Sequence, residues 1–332
     1  MPDSDAKAIN KTIATLAELR REIASLQQQN ALQRDEAIEK RLIDLRILAA
    51  PLVLAQAEKN VWKRESRLEL PPGPYSIPEI HRSELSADHI CSGILNHGAL
   101  IVRNLLDKNC CAGLREDIDK TFEARQALVD GKHDGDAWYN VPQAAPERSM
   151  RGGGAIWAAC APRPMNTVLA LYESLGLHSI LDEYIGQETM LSVKKWVLRK
   201  AEALEFTGWH QDGAFMGSSI RSANLWISLS NCGHGTDSPG IDIVPGRLEN
   251  IIETGTNGAF FDWSVGDQFV DATFHRNPPV TPVFNEGDAV FFDHFNLHRT
   301  SPGLHYSQPR YAIECWFLGA ENYPQRQLPM LW

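Results

Sequence analysis

Beyond Met190 the sequence breaks into short β-prone runs, at 191–198, 224–230, 241–244, 289–292 and 311–317, set apart by Gly, Pro, Asn and Asp. β-Branched and aromatic residues suit a pleated surface, and the punctuating residues suit turns. Parallel strands would need helical crossovers, and no helical run lies between these segments. The pattern therefore predicts antiparallel pairing into a sandwich or barrel, such as a jelly roll.

The first part of the chain reads differently. Residues 4–66 are rich in Ala, Leu, Glu, Gln, Lys and Arg, with Pro51 as the interior breaker, and this predicts helix. Ile9, Leu16, Ile23 and Asn30 recur every seven residues, with Thr12, Leu19, Leu26 and Gln33 on the companion seam. Such a heptad stripe serves either a coiled coil, and hence a homodimer through this helix, or an amphipathic helix packed on its own domain. The prolines of residues 70–80 end the helical region and favour an extended linker. We expect a helical extension over 1–70 and a second domain over 71–332. Within the second, 98–103 reads as a first strand, 108–128 and 167–185 as helices, and the polar, Gly-rich 130–154 as a mobile loop.

With 43% apolar residues in 332, a sizeable core is expected. The formal net charge of -10 disfavours nucleic acid and anionic membranes as partners. The six cysteines form no CxxC pair, and the N-terminus has no apolar signal core. These features predict reduced thiols in a cytoplasmic protein. No run of about 18 apolar residues predicts a membrane span.

The chemistry is concentrated around Trp209, His210, Gln211 and Asp212. On an extended backbone, positions i and i+2 face the same side, so His210 and Asp212 can offer an imidazole and a carboxylate to one cation. A third ligand must come from elsewhere, and His294 and His298 are the candidates. Two imidazoles and one carboxylate leave three coordination positions open, as non-haem iron(II) oxygenases require for a chelating cosubstrate and O2. An isolated HxD pair is a weak signal and is more often a satisfied surface pair.

In the company of other segments the motif means more. Trp209 to Asp212, the strand 241–244 closed by Pro245 and Gly246, the Gly287–Asp288 turn before an apolar strand, His298 with Thr300 behind it, and Arg310 on the last strand occur in one order. Together, from about residue 98 to the end, they resemble the phytanoyl-CoA dioxygenase family of iron(II)/2-oxoglutarate oxygenases. The resemblance does not extend over residues 1–70. Where the family often has Asn after the turn beyond the distal histidine, this chain has Gly303 to Ser307.

The resemblance implies a double-stranded β-helix (jelly roll), mainly β with flanking helices. It implies iron(II) held by His210, Asp212 and His298, with 2-oxoglutarate as cosubstrate and O2 as oxidant. It assigns Arg310 to the far carboxylate of 2-oxoglutarate, for which a planar guanidinium fork is suited, with Thr300 as a second donor. The activity implied is hydroxylation or a related oxidation of an unactivated C–H in a small metabolite, with release of succinate and CO2. A metal-binding cupin-type jelly roll that does not use 2-oxoglutarate is the alternative, and a non-catalytic ligand-binding scaffold is a second. Trp226 can wall the pocket or pack in the core. Arg199 and Lys200, ending the strand before the motif, can meet a carboxylate or solvent. Gln211 faces away from its neighbours unless a turn returns it. Phe260, Phe261, Trp263 and Phe269 can form a lid or a satellite core.

Overall fold

The computed structural model describes residues 14–58, 63–132, 135–145, 154–203, 207–256 and 258–332. The expected seam positions Ile9 and Thr12, and the glycines at 152 and 153, lie outside them.

The chain opens with two helices, α1 (Leu16–Leu32) and α2 (Glu36–Gln56). Thr15 starts α1 with a capping box, its backbone N–H donating to Glu18 at 2.7 Å while its hydroxyl accepts from the Glu18 amide at 3.3 Å. Leu19 and Ile23 on the heptad seam are buried with Leu42, Leu45, Ala49 and Val53 of α2, and the cluster reaches Met190, Ala320 and Leu331 in the body of the protein. Leu16 and Leu26 pack on the same cluster. This part of the heptad stripe packs within its own chain. Pro51 is accommodated inside α2.

Next come β1 (Glu79–His81), α3 (Ala87–His97), β2 (Ala99–Arg103), α4 (Lys108–Val129) and β3 (Ala155–Trp157). Where one helix was expected over 167–185 there are two, α5 (Pro162–Ser174) and α6 (Leu177–Ile185). They are broken at Gly176, whose φ of 66° ends the first helix in the left-handed region. Part of the expected mobile loop is packed, with Tyr139 and Ala145 in the main core.

The remainder is β4 (Thr189–Ala201), the single turn α7 (Gly213–Met216), β5 (Ser222–Ser228), β6 (Ile241–Ile243), α8 (Asp267–Thr273), β7 (Ala289–Phe292), β8 (His298–Thr300), β9 (Arg310–Gly319) and β10 (Pro329–Met330). The major sheet runs β1-β2-β7-β5-β9-β4-β10, with β3 on β4, and only the β1–β2 pair is parallel. The minor sheet is β6–β8, extended by bridges from His210 to His298 and from Ile243 to Val280. These two facing sheets form the expected jelly roll, with helices outside the major sheet.

Strand alternation divides the side chains. Leu225, Ile227, Phe291, Ile313 and Phe317 join Ile94, Leu114, Val168 and Leu181 in the helix-covered core. Trp226, Val290, Phe292, Ala312 and Trp316 point the other way and meet Ile241, Ile243 and Phe284 between the sheets. The inner face thus carries the cavity.

The Gly287–Asp288 turn before β7 is built for its place. Asp288 Oδ1 accepts from the Asn104 amide at 2.9 Å, and its Oδ2 accepts from Arg103 at 2.6 Å and from the Asn285 amide at 2.9 Å. Gly287 has φ 91°, and a Cβ there would lie 2.1 Å from the Leu106 carbonyl oxygen. Gly287→Ala is expected to destabilise the fold by at least about 2 kcal/mol, read as a lowered melting temperature; an unchanged melting curve would contradict this. Among the described residues, no helix is long and apolar enough to cross a membrane.

Candidate metal centre

His210 ends the short extended segment that bridges to β8, and Asp212 follows at the head of α7. The His210 amide donates to the His298 carbonyl at 2.9 Å, and the His298 amide returns a bond to the His210 carbonyl at 3.1 Å. This reciprocal pair brings the two imidazoles together with ring centroids 4.4 Å apart. One ligand atom from each of His210, Asp212 and His298 lies within 4.8 Å of the others.

The hydrogen bonds around the three residues suit a cation. His210 Nδ1 donates to the Gly208 carbonyl at 2.8 Å and His298 Nδ1 donates to the Asn296 carbonyl at 3.2 Å. Each bond fixes the tautomer that leaves Nε2 with its lone pair, as metal-binding histidines require. Asp212 Oδ2 is buried without a hydrogen-bond partner among the described residues, 3.8 Å from His298 Nε2. A buried carboxylate oxygen left so is costly unless something else satisfies it. Removal from water pushes the His210 imidazole down to about 4, helped by His298, and pushes His298 down as well. Both are therefore neutral near pH 7 and able to ligate. Burial alone would raise the Asp212 carboxyl, but Lys195 and the two imidazoles hold it well below the usual carboxylate range.

His294 is not brought to this group. It lies under the site, its Nε2 donating to the Ser218 carbonyl at 3.2 Å and its Nδ1 accepting from the Ser222 hydroxyl at 2.7 Å. His294→Gln is expected to keep metal stoichiometry while losing about 1–3 kcal/mol of stability, whereas His298→Gln loses the metal; metal analysis of the two purified variants distinguishes them.

The three residues open on a cavity of about 570 Å³ between the sheets. At its base lies Arg310, the first residue of β9, only 2% exposed. Its Nη1 donates to the Gly240 carbonyl at 2.7 Å and its Nη2 to the Thr300 hydroxyl at 3.3 Å. Trp226 lines the same cavity, its ring centre 5.6 Å from the guanidinium. Arg199 lines it too and is paired with Glu314 at 3.5 Å. Lys200 points away, to Asp119 at 2.7 Å.

Gln211 does not return to the site. It is 1% exposed and braces the long insertion, its Nε2 donating to the carbonyls of Asn250 and Phe295 at 3.0 and 2.7 Å and its Oε1 accepting from the Ile252 amide at 2.7 Å. The aromatic residues of the insertion divide. Phe269 packs on a satellite core with Trp209 and Val265, while Phe260 is 72% exposed. Trp263 lines the cavity, edge-on to His210 at 5.5 Å and stacked on Phe261 at 4.8 Å.

Sequence reasoning missed Lys195 and Glu314. Lys195 Nζ bonds Asp212 Oδ1, and its side chain is 13% exposed. It reaches the cavity because β4 advances from Leu191 to Trp196 while β9 advances only from Phe317 to Cys315. Such a register shift re-aims side chains, and period-two alternation in the sequence carries no trace of it. Glu314 had a readable signal, since it lies two and four residues from Ala312 and Arg310 on the inner face of β9.

No protein-family model matches the sequence, and no curated protein sequence matches it. Among solved structures, the chain is similar to the epimerase SnoN in complex with Fe3+, alpha ketoglutarate and nogalamycin RO, at 16% identity over 70% of this chain and 83% of that one, with a TM-score of 0.48. It is similar to EctD from S. alaskensis in its apoform, at 15% identity over 72% and 79% with a TM-score of 0.49. It is also similar to AviO1 from Streptomyces viridochromogenes Tue57, at 17% identity over 68% and 91% with a TM-score of 0.44.

Proposed function

We propose that this chain is an iron(II)- and 2-oxoglutarate-dependent oxygenase that oxidises an unactivated C–H of a small metabolite. The observation that carries the reading is the convergence of His210, Asp212 and His298 within 4.8 Å, with each imidazole's Nδ1 bonded to a backbone carbonyl and Asp212 Oδ2 lacking a bond among the described residues. A closed structural zinc site would need a fourth protein ligand. Three donors on one side of an open cavity suit a metal that must also bind small molecules.

The chemistry an iron(II) ion would supply there is activation of O2 coupled to oxidative decarboxylation of 2-oxoglutarate to succinate and CO2. The chain's own residues do the rest. His210, Asp212 and His298 would hold the ion. Lys195 occupies Asp212 Oδ1, which would leave Oδ2 as the oxygen offered to the ion. Arg310 and Thr300 receive the far carboxylate of 2-oxoglutarate at the buried end, where a charged fork is worth most. Trp226 and Phe292 form the apolar wall that keeps water from the reacting centre.

A carboxylate at position 212 favours hydroxylation or a related oxidation, because a small residue there would leave room for a halide. The test is succinate release from the iron-loaded protein over a panel of candidate metabolites, followed by mass analysis for a gain of one oxygen. Succinate stimulated by one metabolite, with that mass gain, supports the reading. A cupin-type site indifferent to 2-oxoglutarate would release none.

A further inference from the structure

The cavity's charge is opposite to that of the chain. The protein carries a formal -10, yet among the described residues five cationic side chains line this cavity, those of Lys194, Lys195, Arg199, Arg299 and Arg310. Among the described residues, the carboxylates lining it are Asp212 and Glu314. Lys194 has an interaction of its own, and three more of the cations have assignments. Arg310 lies deep with Thr300, Arg199 pairs with Glu314, and Arg299 turns outward to Asp242 at 2.9 Å and Asp267 at 2.6 Å.

Lys195 is placed differently. An ammonium has three N–H donors, and among the described residues one hydrogen-bond partner meets this one, Asp212 Oδ1. The side chain lines the cavity, so the donors that Asp212 leaves over are open to a molecule bound there. The Nζ also lies 4.9 Å from the ring centre of Phe215, a side chain 38% exposed. Phe215 lies 6.0 Å from Trp263, which is edge-on to His210. A cation with spare donors therefore sits beside the ligands, next to part-exposed aromatic faces.

Resting on the oxygenase reading above, we infer that the substrate is a carboxylate borne on a planar, aromatic or conjugated body. Lys195 takes the carboxylate through the donors that Asp212 leaves over, and the Phe215–Trp263 wall takes the planar part by stacking. The anchor at Lys195 holds the body of the substrate close to the ion held by His210, Asp212 and His298, while Arg310 at the far end is left to the cosubstrate.

The test uses the full chain loaded with manganese(II) and 2-oxoglutarate, which does not turn over, and calorimetric titration with cinnamate, cinnamamide and hexanoate. Cinnamate is expected to bind roughly tenfold or more tighter than its neutral amide, as a charge-assisted hydrogen bond implies. Lys195→Met is expected to erase that difference, and Lys195→Arg to retain most of it. Trp263→Ala is expected to weaken cinnamate but not hexanoate. Equal affinity for cinnamate and cinnamamide in the unaltered protein, binding of neither, or displacement of 2-oxoglutarate by cinnamate would overturn the inference. Failure to take up manganese(II) and 2-oxoglutarate would instead overturn the oxygenase reading. The preference for the acid over the amide then remains measurable on the metal-free protein.

Discussion

Asp212→Ala is expected to reduce succinate formation to background, with loss of more than about a hundredfold in turnover, because changes in outer-shell partners alone cost 10–100-fold at metal sites. The same substitution removes the counter-charge of Lys195 and the carboxylate oxygen 3.8 Å from His298 Nε2. Iron binding should therefore weaken along with activity, and both are read from metal stoichiometry and a succinate assay on one preparation. His210→Ala is expected to behave alike. A variant of either residue that bound iron fully and kept full turnover would remove it from the centre. Asp212→Ala should still fold, because the reciprocal backbone bonds between residues 210 and 298 do not involve its side chain.

The second large effect is expected at Arg310. Its guanidinium is 2% exposed and bonded to the Gly240 carbonyl and the Thr300 hydroxyl, so a carboxylate reaching it meets a desolvated, oriented fork. Removing one partner of a buried, hydrogen-bonded charge pair costs about 2–5 kcal/mol. Arg310→Met should therefore raise the KM for 2-oxoglutarate by roughly 30-fold to more than 1000-fold. Arg310→Lys keeps the charge but loses the fork, and should fall between. Saturating 2-oxoglutarate should recover much of the turnover in the lysine variant, because the lost contact is to the end of the cosubstrate remote from the ion. An unchanged KM in Arg310→Met would exclude Arg310 as the clamp.

How much of this was readable in the residues depended on whether a feature was local. The alternation of inward and outward residues in β5, β7 and β9 follows directly from strand geometry, and the runs at 224–230, 289–292 and 311–317 were bounded to within about two residues. His210 and Asp212 are two residues apart, so their joint direction was legible without a fold. The choice between His294 and His298 was not local. It is made by pairing across the minor sheet, where His298 bridges to His210 while His294 is tied to Ser218 and Ser222.

Other features depended on register or on a partner surface. Lys195 faces the cavity only because β4 slips against β9 between Leu191 and Trp196. The heptad stripe defined an apolar face on the first helix but carried no information about whether that face meets α2 or a second chain. Burial of Leu19 and Ile23 against α2 came from the packing alone. The break at Gly176 was available as a glycine within an apparent helix, and its left-handed φ is the physical reason that α5 and α6 are separate.

The most direct measurement is an anaerobic titration of 2-oxoglutarate into the iron(II)-loaded protein, followed by visible absorption. A weak charge-transfer band that grows to saturation at one equivalent per chain is the predicted result, because chelation by the 2-oxo acid needs the open positions that His210, Asp212 and His298 leave. Full iron occupancy with no band at any 2-oxoglutarate concentration would contradict the account and favour a metal site that works without this cosubstrate.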